Sequence, residues 1–135
     1  MYSINRTKEL IIAFIRARGP SLPVHIARDV KTSPLFAAAF LSELTNEGKI
    51  KMSAMKIGSS SLYYLAGQEE QLENFIEHLN PREKESFQLI KQHRVMSDDE
   101  LQPVHRVAIR AIKDFAFPIA LSHSSDEPQK TFWRY

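Results

Sequence analysis

The chain contains no cysteine. That single absence removes disulfides, iron–sulfur clusters, thiol catalysis and thiolate zinc sites together. No apolar run approaches the ~18 residues of a membrane span. The N-terminus lacks a charged-then-apolar stretch with a small-residue cleavage site, so a cytoplasmic protein with no membrane partner is expected. Glycine is scarce, at four residues, and Gly58-Ser59-Ser60-Ser61 is not followed by Gly-Lys-Thr/Ser, so it is no nucleotide-type phosphate loop. The five histidines (His25, His78, His93, His105 and His123) are scattered, with no pair at metal-ligand spacing. His123-Ser124-Ser125-Asp126 holds the residue types of a catalytic triad, but they are consecutive in a polar loop with nothing to orient them. Paired acids at Glu69-Glu70 and Asp98-Asp99 read as helix-start charges favoured by the helix dipole. The expectation is no enzyme, no catalytic residues, no metal, no cofactor and no small-molecule substrate.

What is present describes a globular chain. Its 135 residues are 43% hydrophobic and 25% charged, enough for one ordinary domain or two very small ones. The net charge of +2 is uneven. Residues 1–67 hold nine basic and four acidic side chains, a net of +5. Residues 68–80 hold four glutamates and no Lys or Arg. Residues 81–135 hold nine basic and eight acidic side chains, close to balance. A polyanion would therefore prefer the first half.

Apolar residues at Leu10, Ile11, Phe14 and Ile15 have the rhythm of a helix over 5–18, with Asn5 or Thr7 as cap and Gly19-Pro20 as stop. Ser21 is expected to cap a short helix over 22–30. Thr32-Ser33-Pro34 is a strong helix start, a hydroxyl cap followed by proline, for a third helix ending near Asn46 before Gly48. Ile50 to Ile57 reads as a strand, Gly58 to Ser61 as a turn, and Leu62 to Leu65 as the return strand. Gln68 to Asn80 reads as an amphipathic connecting helix with Leu72, Phe75, Ile76 and Leu79 on one face.

Three helices and a hairpin within 1–67, joined through Leu44-x-x-x-Gly48-x-Ile50, resemble the winged helix-turn-helix family over residues 5–66. The segment from Gly58 to Glu70 is similar to that of uncharacterised archaeal winged-helix proteins, a likeness that implies no established activity. Residues 81–135 repeat the plan more faintly. Asn80-Pro81 opens a helix through His93, and Ser97 with Glu100 matches a capping box before a very short helix. Pro103 opens a helix with Val107, Ala108, Ala111, Ile112 and Phe115 as its apolar set, and strands are expected at 118–122 and 131–135. The expected fold is thus mainly α with small β-hairpins (α+β), as tandem winged helix-turn-helix domains: 1–67, a connecting helix at 68–80, and 81–135. The chain ends inside an expected strand at Trp133-Arg134-Tyr135, which is how a piece of a longer protein would end.

In the family resembled, the third helix enters the major groove and reads base edges. Its pattern places Ala37, Phe40, Leu41 and Leu44 inward and Leu35, Phe36, Ala38, Ala39 and Ser42 outward. No Lys or Arg lies between Thr32 and Gly48, so the usual bidentate base contacts are missing. Cationic and small polar groups lie around that helix instead: Arg28, Lys31, Thr32 and Ser33 at its start, Lys49, Lys51 and Lys56 on the junction and wing, and Ser59, Ser60 and Ser61 at the wing tip. These would hold a phosphate backbone rather than read sequence. In the second half Arg106, Arg110 and Lys113 share a helix face at i, i+4, i+7; they form a second phosphate stripe or pair with nearby acids. Tyr63 and Tyr64 alternate, so one of them is expected to face away from the core. Two functions follow. One is a double-stranded DNA-binding protein of low sequence specificity, a transcription regulator or chromatin protein that would be nucleoid-associated. The other is a protein–protein adaptor of the ESCRT-II or kleisin-associated kind, with a protein partner or a homodimer; the apolar outward face of the third helix suits it.

Overall fold

The computed structural model describes residues 4–121 and 130–135. His123-Ser124-Ser125-Asp126 and the acidic pair Asp126-Glu127 lie outside them. The fold is α+β, with two small antiparallel sheets, and the chain divides into two compact units, one ending at Asn74 and one beginning at Phe75.

The first unit begins with α1, Ile4–Arg18. Asn5 and Thr7 lie inside this helix and do not cap it. Ile11 and Ile15 are fully buried, as their four-residue spacing requires. The helix stops at Gly19, whose φ of +90° suits glycine and whose N–H bonds Ile15 O at 2.7 Å. Helix α2 spans Pro23–Asp29. Its cap is Leu22, with no side-chain bond; the Ser21 hydroxyl donates backwards to Gly19 O at 2.8 Å instead. Ser21 is not the expected cap because it is committed to a backbone bridge with Tyr63, which periodicity does not reveal. Helix α3, Pro34–Asn46, starts as expected: Ser33 is the N-cap and its side chain accepts from Phe36 N–H at 3.2 Å. Strands β1, Lys51–Ile57, and β2, Ser60–Tyr64, form the hairpin. Ser60 and Ser61 pair with Ile57 and Lys56, so they are strand residues and the tip is shorter than expected. A bulge between Met52 and Lys56 is filled by the buried Ser53, whose hydroxyl donates to Met55 O at 2.7 Å and accepts from Leu62 N–H at 2.8 Å.

The core of this unit joins Ile11, Ile15, Ile26, Leu41, Leu44 and Ile50. Three helices and a hairpin around one apolar centre form a winged-helix-like unit. Tyr64 is buried, and Tyr63 is half-buried and packs against the core.

The stretch Glu69–His78 winds as a 3-10 helix, not the α-helix expected at 68–80. Its apolar residues satisfy both periods: Leu72 with Phe75, and Ile76 with Leu79, are each three apart and stack on a three-residue turn. The division between the units falls inside it.

The second unit opens with α4, Pro81–His93, under a full capping box: Glu83 N–H donates to Asn80 Oδ1 at 2.8 Å and Asn80 N–H to Glu83 Oε1 at 3.1 Å. Strand β3, Val95–Ser97, was not expected. It exists through pairing with β5, Lys130–Arg134, which also pairs with β4, Phe117–Leu121, in the order β3-β5-β4. Ser97 accepts from Asp99 N–H at 3.3 Å, Asp98–Glu100 is a single 3-10 turn, and among the described residues the box with Glu100 does not form. Helix α5, Pro103–Ala111, ends before Phe115. Val107, expected inward, is 74% exposed, while Ala108, Ile109 and Ile112 carry the buried face. Phe87 packs edge-on to Phe115 at 5.1 Å in the centre of this unit.

Candidate functional site

The outer face of α3 follows from the inner one. Ala37, Leu41 and Leu44 are buried and Phe40 packs on the core, so Leu35, Phe36, Ala38, Ala39 and Ser42 must point outward, and all five are exposed. Leu35 is 77% exposed and Phe36 61%. The far end of the helix is clamped: Lys8 Nζ donates to Glu47 at 2.6 Å and lies 3.1 Å from Glu43. The hydrogen bond to Glu47 holds the Lys8 ammonium above its ordinary range, and the same bond is the largest cause holding the Glu47 carboxyl low. This clamp had no signal in the sequence, since its partners lie 39 residues apart.

The cations expected to meet phosphate divide into two groups. Lys49 pairs with Glu47 at 3.2 Å and Lys51 with Glu69 at 3.0 Å. Glu69 raises the pKa of Lys51 through that bond. In the second unit Arg110 lies 3.0 Å from Asp98 Oδ1 and 5.4 Å from the Trp133 ring centre. Arg106 donates to the carbonyls of Asp98 at 3.0 Å and Asp99 at 3.3 Å. Asp98 also accepts from Trp133 Nε1 at 3.0 Å. Burial opposes the charge of Asp98, but Arg110, Trp133 and Arg106 outweigh it and hold the carboxyl below its usual value. Lys49 and Lys51 form exposed surface pairs, whereas Arg106 and Arg110 tie α5 to Asp98. Arg28, at the end of α2, Lys31, in the turn before α3 with φ +58°, and Lys56, on β1, form no ion pair among the described residues. Thr32 donates its N–H to Ala27 O at 3.0 Å, and Ser59 is exposed at the wing tip. Lys113 follows α5 and lines a small hollow with Arg110, Phe117, Pro118 and Trp133.

One surface was not anticipated. Val104, Val107 and Ala111 form an exposed stripe on α5 and, with Pro81, line an open apolar cleft rimmed by Arg82, Glu83 and Glu85. Its signal was present as i, i+3, i+7 spacing, but a second apolar phase through Ala108, Ile109 and Ile112 hid it. Beside it, His105 Nε2 lies 2.9 Å from Glu85, and this contact is the main cause holding the Glu85 carboxyl low.

Among the described residues no group of three or more His, Cys, Asp or Glu could hold a metal ion, and no helix is long and apolar enough to cross a membrane. No protein-family model matches the chain, and no curated protein matches it. Among solved structures the chain is similar to ScpB from Mycobacterium tuberculosis, with a TM-score of 0.36 and 14% identity, the alignment covering all of this chain and 93% of that one. A likeness at that level decides neither fold nor function.

Proposed function

We propose that this chain is a non-enzymatic protein-assembly module, two winged-helix-like units in tandem, that docks a protein partner on the outer face of α3. The observation that carries this reading is the exposure of Leu35 and Phe36 on a helix whose outward side has no Lys or Arg. A helix that reads the major groove needs forked donors facing base edges. A docking face needs aliphatic and aromatic anchors that lose water on contact. The α3 surface is of the second kind. The engagement of Lys49, Lys51, Arg106 and Arg110 within the fold supports the same reading, because part of the charge or hydrogen bonding of each is already answered inside the molecule. The stripe of Val104, Val107 and Ala111 gives the second unit an apolar face on α5 as well.

A second reading is double-stranded DNA binding through the backbone, as a regulator or chromatin protein. It is favoured by Arg28, Lys31 and Lys56, which form no ion pair among the described residues, and by the small Ser59 at the wing tip. Photo-crosslinking in cells of the source organism separates the two. A benzophenone side chain at position 36 is expected to yield nuclease-resistant protein adducts that disappear with Leu35→Asp. Nuclease-sensitive adducts from position 36, matched by the same adducts from position 56, would favour DNA.

A further inference from the structure

We infer that the partner segment of α3 is an acidic amphipathic helix, its acidic end lying over Arg28 and Lys31. This rests on the docking role of α3 proposed above and adds the chemistry of the occupant. Leu35, Ala38, Ala39 and Ser42 fall at i, i+3, i+4 and i+7 of α3, so they line one exposed stripe. The stripe is tall at its first turn, where Leu35 and Phe36 project, and low beyond it. Small side chains there let another helix come close and settle its ridges into the groove. A partner that fills this shape carries small residues over Leu35 and Phe36 and large apolar residues over Ala38, Ala39 and Ser42.

The charge around the stripe is polar along the helix. Arg28 and Lys31 precede it, both exposed and both without an ion pair among the described residues. Asp29 is the one acid of that turn, and no acid follows until Glu43. Glu43 and Glu47, at the far end, are already served by Lys8. Four residues of chain reach at most about 14 Å, so Lys31 stands within about two and a half helical turns of the Leu35 anchor. Carboxylates on the partner are therefore favoured at the start of α3 and gain nothing at its end. That asymmetry sets which end of the partner helix carries the acidic residues.

The test is selection of a random 16-residue peptide library on the full chain, with a Phe36→Glu variant of matched thermal stability as counter-target. The expected winners carry a net negative charge and apolar residues at i, i+3, i+4 and i+7. They gain helicity on binding and lose at least tenfold in affinity for a Lys31→Glu variant. Winners that depend on Phe36 but are neutral or basic would overturn the acidic helix and leave the docking role of α3 standing. Winners that bind the Phe36→Glu variant equally well, or none at all, would overturn both. Displacement of Phe36-dependent peptides by a random DNA duplex at physiological salt would overturn the inference in favour of nucleic acid on the same face.

Discussion

At the scale of single residues, Asp98 does the most structural work that the sequence concealed. Its position in Ser97-Asp98-Asp99-Glu100 looks like a helix start, and nothing local points to Trp133, 35 residues away, or to Arg110. Asp98→Asn keeps the shape but removes the charge that Arg110 answers. It is expected to cost roughly 1–3 kcal/mol of stability, the range for breaking a partly buried charged hydrogen-bond set, measured by urea denaturation. The pH dependence has a definite sign. The folded-state pKa of Asp98 lies below its unfolded value, so its contribution is complete above about pH 4. It falls away as the pH drops through the lowered folded value. The gap between wild type and Asp98→Asn should therefore narrow in acid; a gap that widens there would contradict the assignment. Gly19 is the other informative residue. Its left-handed φ and the approach of Gln71 leave no room for a side chain without adjustment. Because the Gln71 side-chain end can move, the backbone conformation dominates, and Gly19→Ala should cost about 1–2 kcal/mol, read as a fall in melting temperature. That stop was legible, since glycine after an apolar-periodic run marks a helix end.

At the scale of elements, periodic patterns were legible and pairings were not. α3 could be read through its cap, its proline and its inward set because each is local. Ser33→Ala is accordingly expected to lose about 0.5–2 kcal/mol in chemical denaturation. The same periodicity marks Leu35 and Phe36 as outward residues. Their replacement by polar residues should leave folding stability within about 0.5 kcal/mol of wild type; a larger loss by calorimetry would mean that they serve the fold and not a partner. β3 escaped because three residues become a strand only when β5 lies alongside, and strand preference depends on such context. The 3-10 stretch escaped because its apolar spacing fits two helical periods equally. On α5 two apolar phases overlap, and Val104 and Val107 belong to the exposed one, Ile109 and Ile112 to the buried one.

At the scale of the whole molecule, the charge of the first half suggests a polyanion partner, but a net count does not say which cations are already paired. Lys49 and Lys51 are answered by Glu47 and Glu69, and Glu69 belongs to the acidic segment that follows residues 1–67. What survives around α3 is an apolar face with a small cationic approach. The most direct measurement is the salt dependence of binding to a random-sequence DNA duplex, for wild type and for the uncharged double variant Leu35→Ser, Phe36→Ser. With only Arg28, Lys31 and Lys56 unengaged among the first unit's expected contacts, the log–log slope should be no steeper than about −3, and the double variant should behave as wild type does. A slope of about −5 or steeper, lost together with affinity in the double variant, would show that α3 sits on DNA and would contradict the protein-docking account.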